Sequence, residues 1–132
     1  MSNEIKYVFL DTMIYLHFKP FDEINWPLLL DCKKVQMMLP RIIIRELDKH
    51  KTTHPSSKIK DRARRVLKKI ETILNFEDVP TNNKASFQFL EMFPSIDYAS
   101  HDLNPDWPDD ILLATIIAFK EQNQLNNIVL LN

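Results

Sequence analysis

Paired carboxylates at positions 109 and 110 stand directly before a long apolar run. In the stretch PDWPDDILLATIIAF, residues 105–119, Asp109 and Asp110 precede an almost continuous series of aliphatic side chains. Acidic side chains stabilise the first turn of a helix through its dipole, and Pro108 is suited to the same turn. Helix chemistry alone therefore accounts for the pair. A catalytic role depends on which other acids the chain offers.

Two further acids are embedded in apolar sequence. Asp11 follows YVFL, and Glu46 follows IIIR. A buried carboxylate is costly unless it has a partner, and carboxylate oxygens are hard ligands suited to Mg²⁺. Each acid also has an ordinary interpretation: Asp11 as a helix N-cap, Glu46 as a solvated helix residue, and Asp110 as a dipole partner. Taken together, the acids suggest a divalent-cation site as the competing hypothesis.

The composition excludes several other chemistries. The 132 residues include no glycine, so a Gly-rich phosphate loop, a dinucleotide fingerprint and a nucleophile elbow are ruled out. Cys32 is the single cysteine, which permits no internal disulfide and fits a reducing compartment. His50 and His54 are spaced i, i+4, but the neighbouring Pro55 and polar loop disfavour a zinc site. The sequence offers neither a membrane span nor a signal peptide, so we expect a cytoplasmic protein with no membrane partner.

The hydrophobic pattern predicts alternating strands and helices in one domain over residues 1–132. Strands are predicted at 5–11, 35–39, 86–93 and 127–131, and helices at 23–31, 41–51, 58–74 and 109–122, with one more helix starting at Thr12. The 23–31 helix is expected to bury Ile24, Leu28 and Leu29. Such alternation is typical of an α/β fold with a central parallel sheet covered on both faces. Because ligands collect outside the carboxyl ends of parallel strands, Asp11, Glu46 and Asp110 are expected to approach one another there.

Four motifs, in this order, resemble PIN-domain nucleases: VFLDTMIYL, LPRIIIRELDKHK, KIKDRARRVLKKI and PDDILLATIIA. The branch they resemble most includes PIN domains fused to PhoH-like ATPases. The resemblance implies a three-layer α/β/α fold and an endoribonuclease that hydrolyses RNA with Mg²⁺ or Mn²⁺. It also implies that Asp11, Glu46 and Asp110 are the catalytic residues and that Asp109 joins them as a metal ligand.

The sequence departs from the family pattern at two places. Met13 stands where the family often has a small polar residue. The fourth acid and the last strand that the pattern expects after residues 127–131 do not follow, since the sequence ends at Asn132. From this pattern we expect a sheet lacking its last strand, weak or undetectable RNA cleavage, and an exposed sheet edge that favours a homodimer. A fused ATPase domain or an antitoxin partner is left open by the sequence.

A basic stripe on the 58–74 helix is the candidate nucleic-acid surface. On a helical wheel, Lys58, Arg62, Arg65 and Lys69, spaced i, i+4, i+7 and i+11, form one stripe that contains no acid. A solvated amphipathic face is the ordinary interpretation. Beside a phosphodiesterase site, the stripe is interpreted as a set of phosphate contacts to single-stranded RNA. Trp26, Trp107 and Tyr98 are candidates for base stacking, although packing in the core or on the surface is the favoured role.

Two alternatives to a ribonuclease remain at this point. The first is a nucleic-acid-binding domain of the same fold with a weakened or inactive metal site, which Met13 and the absent fourth acid favour. The second is a small phosphatase-like hydrolase acting on soluble phosphate esters. It needs the same carboxylates but gives no reason for the acid-free basic stripe.

Overall fold

The computed structural model describes residues 5–75, 85–125 and 127–132. Within these ranges the strands are β1 (Ile5–Leu10), β2 (Lys34–Pro40), β3 (Ala85–Leu90) and β4 (Ile128–Leu131). The α-helices are α1 (Thr12–His17), α2 (Trp26–Leu29), α3 (Arg41–Thr53), α4 (Ser57–Asn75) and α5 (Pro108–Asn123). Short 3-10 turns lie at Phe21–Glu23 and Ala99–His101. The predicted strands, and all predicted helices except one, are thus present with small shifts at their ends.

The strands in the described ranges form one parallel sheet in the order β3-β2-β1-β4. The chain moves outward from β1 to β2 and β3, then returns so that β4 lies on the other side of β1. Connections between parallel strands are almost always right-handed, so a reversal of direction places the connecting helices on opposite faces. This topology gives the three-layer α/β arrangement that was predicted. The strand order reverses between β1 and β4, where open α/β sheets form their ligand crevices.

Aromatic contacts join the helices to the sheet. The Phe119 ring on α5 lies 5.6 Å from the Tyr7 ring and 5.8 Å from the Phe9 ring, both on β1. Before α2, the Phe21 ring lies 5.5 Å from the Phe87 ring on β3. Such edge-to-face pairs each contribute about 0.5–1.5 kcal/mol beyond the area they bury. These contacts orient the Phe119 face of α5 towards β1.

The amphipathic pattern of α4 is confirmed. Its buried face carries Ala63, Val66 and Ile70, and the adjoining Ile59, Leu67, Ile73 and Leu74 are partly buried against the core. These positions follow the 3.6-residue period of one helix face. The opposite face carries the charged side chains of this helix, so the sequence alone was sufficient to predict how α4 packs.

The predicted 23–31 helix is wrong in length and in its buried side chains. The structure forms only a 3-10 turn and the four-residue α2 there. Leu28 and Leu29 are 78% and 62% exposed, whereas Trp26 is 1% exposed and donates its indole N–H to the Phe21 carbonyl at 2.9 Å. Pro27 lies in the first turn of α2, and Asp31, in the left-handed region at φ 52°, lies just beyond its end. These two residues confine the helix to a single turn.

Three non-glycine residues among those described adopt a left-handed backbone: Asp31, Asp102 and Gln124. Gln124 ends α5 with φ 52° and donates its N–H to the Lys120 carbonyl, a position at which glycine is the usual residue. Asp102 ends the second 3-10 turn in the same way. The chain therefore builds these turns without the residue best suited to them. Within the described residues, no helix combines the length and apolar character needed to cross a membrane.

Candidate functional site

Asp11 lies at the carboxyl end of β1, where the strand order reverses. Its backbone N–H donates to the Leu131 carbonyl at 2.9 Å, which joins the ends of β1 and β4. Its side chain accepts the Thr12 N–H at 2.8 Å and so caps α1. Partial burial raises the pKa of this carboxyl, the Thr12 N–H opposes the rise, and the charge of Asp109 adds to it. The N-cap interpretation of Asp11 is therefore confirmed, and the Asp109 charge adds a like-charge neighbour that capping does not require.

The two adjacent acids of α5 have different partners. Asp109 is exposed and lies close enough to Asp11 for its charge to raise that carboxyl's pKa. Asp110 is partly buried, and its Oδ2 accepts the backbone N–H of Asn104 at 2.8 Å. Both acids lie in the first turn of α5, as predicted. The structure thus brings Asp109 towards Asp11 and turns Asp110 towards the preceding loop.

Asp110 and Asn104 together organise the loop that enters α5. Asn104 Oδ1 accepts the Asp106 N–H at 2.8 Å, and the Asn104 carbonyl accepts the Trp107 N–H at 3.2 Å. Trp107 itself is 60% exposed and so lies at the surface and not in the core. Asp110 therefore fixes the path of residues 104–107 through a hydrogen bond to their first backbone N–H.

Glu46 lies in a cleft between α3 and the start of α5. The cleft has a volume of about 530 Å³ and is lined by Ile42, Arg45, Glu46, Asp48, Lys49, Pro105, Asp106, Pro108 and Ile111. Asp106, which sequence reasoning did not single out, shares this cleft with Glu46. The only signal for it was its place in the polar connection just before the paired acids. Because its N–H is bound by Asn104, Asp106 sits in a short local turn of a kind typical of Asn side chains.

The acids at this edge of the sheet form two pairs rather than one cluster. Asp11 is coupled to Asp109, and Glu46 shares its cleft with Asp106. Over residues 5–75, 85–125 and 127–132, no three His, Cys, Asp or Glu side chains are placed to hold one metal ion. The convergence of Asp11, Glu46 and Asp110 therefore stays a prediction. Asp11 and Asp109 nevertheless suit a hard divalent cation, because both offer carboxylate oxygens and neither has an ion-pair partner among the described residues.

Histidines extend the cleft side of α3. His50 lies one turn after Glu46, and its ring is 5.3 Å from the His54 ring. Partial burial lowers the pKa of His50, the Glu46 carboxylate opposes this, and His54, Lys49 and His17 lower it further. His54 Nδ1 accepts the Ser56 N–H at 3.0 Å and is thereby engaged in ending α3. Several basic side chains, among them Lys49, His50 and His54, therefore lie at this end of α3.

The predicted basic stripe is divided between structural and exposed side chains. Arg62 donates from Nε to the Tyr15 carbonyl at 3.0 Å and from Nη2 to the Phe18 carbonyl at 2.5 Å. Lys69 pairs with Asp22 at 3.0 Å. Lys58 and Arg65 are exposed. Half of the stripe therefore fastens α4 to the segment that follows β1, and half remains available for a ligand.

Comparison with known protein families supports the assignment that fold and residues suggest. The family model for the PIN domain matches residues 8–132, which includes every acid described above. No curated protein matches the chain. The parallel α/β sheet agrees with the matched family. The chain belongs to the PIN-domain family.

Proposed function

We propose that this domain is a divalent-metal-dependent endoribonuclease that hydrolyses RNA phosphodiester bonds with Mg²⁺ or Mn²⁺. Members of the PIN family are commonly nucleases and typically use divalent metals. The observation that carries the proposal is the position of Asp11 at the carboxyl end of β1, where the strand order reverses, with Asp109 in the first turn of α5 near enough for its charge to act on Asp11. Capping of α1 accounts for Asp11 and the dipole of α5 accounts for Asp109, but neither requires the two like charges to lie near each other. Such unfavourable pairs are typical of sites where a ligand supplies the missing charge.

Asp11 and Asp109 would hold the metal ion directly, with Glu46 facing the same edge from α3. When bound, a divalent cation supplies an acidified water and stabilises negative charge on the phosphate. The Thr12 N–H keeps Asp11 oriented through its hydrogen bond. In this assignment Asp110 is a positioning residue, because its carboxylate holds the Asn104 N–H and thereby the loop that carries Asp106. No side-chain nucleophile is needed for this chemistry.

Matched substitutions of the adjacent acids test the assignment. A circular single-stranded RNA is incubated with MnCl₂, because only an endonuclease can cut a circle. Asp109→Asn is expected to reduce the initial cleavage rate about 100-fold or more, a typical effect of losing a group that acts in the transition state. Asp110→Asn makes the same charge change at the neighbouring position, and its amide oxygen can still accept the Asn104 N–H. We expect it to retain at least a third of the rate.

Metal binding gives a readout that does not depend on cleavage. Mn²⁺ is expected to raise the melting temperature of the wild type and of Asp110→Asn through linkage, and to leave Asp109→Asn and Asp11→Asn almost unchanged. Equal Mn²⁺ stabilisation of all four proteins would contradict the assignment of Asp11 and Asp109. A larger loss in Asp110→Asn than in Asp109→Asn would exchange their proposed roles.

A second candidate function is a nucleic-acid-binding PIN-fold domain whose metal site is weakened. It is favoured by the separation of the acids into two pairs among the described residues. The circular-RNA assay separates the two candidates. RNA binding without any Mn²⁺-dependent cleavage by the wild type would favour the binding domain, whereas cleavage that Asp109→Asn removes would favour the nuclease.

A further inference from the structure

A pair of arginines at the start of α3 is held by an aromatic ring. The guanidinium carbon of Arg41 lies 5.3 Å from the centre of the Phe93 ring, and that of Arg45 lies 5.8 Å from it. Arg41 Nη1 also donates to the Glu91 carbonyl at 3.4 Å. Phe93 belongs to the segment that leaves the sheet after β3, three residues past the last residue of that strand. Two positively charged side chains of one helix therefore contact the same aromatic ring.

Neither arginine has a carboxylate partner within the described parts of the chain. The ion pairs recorded there join Lys51 to Asp48, Arg64 to Asp61 and Lys69 to Asp22. Arg41 and Arg45 are both exposed. A guanidinium that stacks on a ring keeps most of its N–H donors directed outward, which leaves it able to bind phosphate in a bidentate manner. The pair is therefore ordered and still available to an anion.

Helix stability does not explain these residues. Arg41 is the first residue of α3, its first turn contains no acid, and Pro40 provides no side-chain cap. The positive end of a helix dipole disfavours a cation by roughly 0.3–1 kcal/mol. A local arrangement that opposes stability without an evident structural gain is typical of a functional position. A bound anion would interact favourably both with Arg41 and with the positive end of the helix dipole.

The arginine pair adjoins the acidic cleft. Arg45 lines the same 530 Å³ cleft as Glu46 and Asp106. A polyanion lying across Arg41 and Arg45 would therefore pass beside Glu46 and Asp106. The exposed members of the α4 stripe, Lys58 and Arg65, belong to a different helix, whose neighbours Tyr15, Phe18 and Asp22 lie in the segment after β1. The two basic surfaces are thus built by separate elements.

We propose that Arg41 and Arg45, positioned by Phe93, form a phosphate-binding clamp for single-stranded RNA next to the cleft. The inference rests on the proposed nuclease function for the identity of its ligand. The clamp would hold backbone phosphates adjacent to the bond that is cleaved, and it would read no base sequence. Phe93 is a positioning residue, because it acts through the two guanidinium groups.

Binding is measured without metal, so that the clamp is tested apart from catalysis. Fluorescence anisotropy with a labelled 12-nucleotide oligouridylate in EDTA, over a series of KCl concentrations, gives the affinity and its salt dependence. Arg41→Ala/Arg45→Ala is expected to weaken binding about tenfold and to reduce the slope of log K against log [KCl] by about 1.4. This reduction corresponds to two phosphate contacts at about 0.7 each for a single strand. Phe93→Leu keeps both charges and is expected to weaken binding about threefold with the slope nearly unchanged.

The matched control removes two charges from the opposite edge of the sheet. Lys34 begins β2 and Lys120 lies in the last turn of α5, and both are exposed. Lys34→Ala/Lys120→Ala is expected to leave the affinity within twofold and the slope unchanged. Melting temperatures of all variants verify that each remains folded. In cleavage with Mn²⁺, the arginine double variant is expected to show a raised KM and a nearly unchanged kcat.

The outcomes separate the clamp from the nuclease. Equal affinity and slope for the arginine and lysine double variants would overturn the clamp, even if the wild type cleaves RNA. A wild type that does not bind the oligonucleotide at all would overturn it too. Binding that depends on Arg41 and Arg45 would support the clamp even if the wild type fails to cleave, and that failure would count against the proposed nuclease alone.

Discussion

Replacing Arg62 by alanine should destabilise the domain far more than replacing its neighbour Arg65. Arg62 donates two hydrogen bonds, at 3.0 and 2.5 Å, to the Tyr15 and Phe18 carbonyls at the end of α1. Arg65 is exposed one turn further along the same helix. Both substitutions remove one positive charge from α4, so the difference between them isolates the attachment of α4 to α1.

The magnitude follows from the two hydrogen bonds. A hydrogen bond from a charged donor contributes about 1.5–3 kcal/mol when it is shielded from water. The bond to Tyr15 is partly buried and the bond to Phe18 is exposed, so a combined loss of about 2 kcal/mol is expected. For a domain of this size that loss corresponds to a fall in melting temperature of about 6–10 °C. Arg65→Ala should stay within about 0.5 kcal/mol of the wild type.

Thermal unfolding followed by circular dichroism measures both variants. Because the acceptors are neutral carbonyls, the Arg62 effect should persist in 0.5 M KCl, where exposed ion pairs are screened. Arg62→Lys retains the charge but not the two-pronged geometry, and it should recover less than half of the loss. Equal melting temperatures for Arg62→Ala and Arg65→Ala would refute the structural role of Arg62 and return it to the set of RNA contacts.

Three more predictions concern charge and packing. Burial and the charge of Asp109 raise the pKa of Asp11 in the folded state above its ordinary value of 3.8. The folded state therefore loses stability as the pH rises from the unfolded pKa of this carboxyl to its folded pKa. Asp11→Asn should therefore have a higher melting temperature than the wild type at pH 7, and this difference should disappear below the unfolded pKa. A difference in melting temperature that does not change with pH would contradict the reasoning. Lys58→Glu/Arg65→Glu should weaken oligouridylate binding about tenfold with little loss of stability, whereas an unchanged salt slope would make this face merely solvated. Phe119→Ala should cost about 3–4 kcal/mol in urea unfolding, because it leaves a cavity against β1, and a loss below 1 kcal/mol would show that α5 is held elsewhere.

The spacing of the apolar residues was sufficient to predict most of the fold. The buried face of α4 follows directly from the spacing of its aliphatic residues, and alternating strands and helices were enough to predict a parallel sheet. The failure at 23–31 has a local cause. Leu28 and Leu29 resemble a buried pair only if the helix continues, and Pro27 together with the left-handed Asp31 confines it to one turn. A single apolar tryptophan, Trp26, then takes the core position.

The candidate site was harder to predict from the sequence, because it depends on how α5 is rotated about its axis and on contacts between residues far apart in the chain. Neighbouring residues of a helix point about 100° apart, and in this structure Asp109 and Asp110 have different neighbours. Which of them faces Asp11 depends on how α5 is rotated, and the contacts of Phe119 orient one face of α5 towards β1. Arg62 reaches carbonyls 47 and 44 residues earlier in the chain, a relation that no local spacing reveals.

The left-handed turns at Asp31, Asp102 and Gln124 bear on the unfolded ensemble as much as on the native one. A left-handed backbone costs a non-glycine residue roughly 1–2 kcal/mol, less for aspartate. Average usage would give a chain of this length about nine glycines, and each replacement of glycine at a compatible position reduces the conformational entropy lost on folding by about 0.4–1 kcal/mol. The unfolded state of a glycine-free chain therefore has a lower conformational entropy, and less of it is lost on folding. The difference amounts to several kcal/mol of free energy, which is comparable to the whole net stability of a typical domain. Introducing glycine at Gln124 would relieve about 1–2 kcal/mol of local strain and cost about 0.4–1 kcal/mol in the entropy of the unfolded state, so the substitution should be neutral to mildly stabilising.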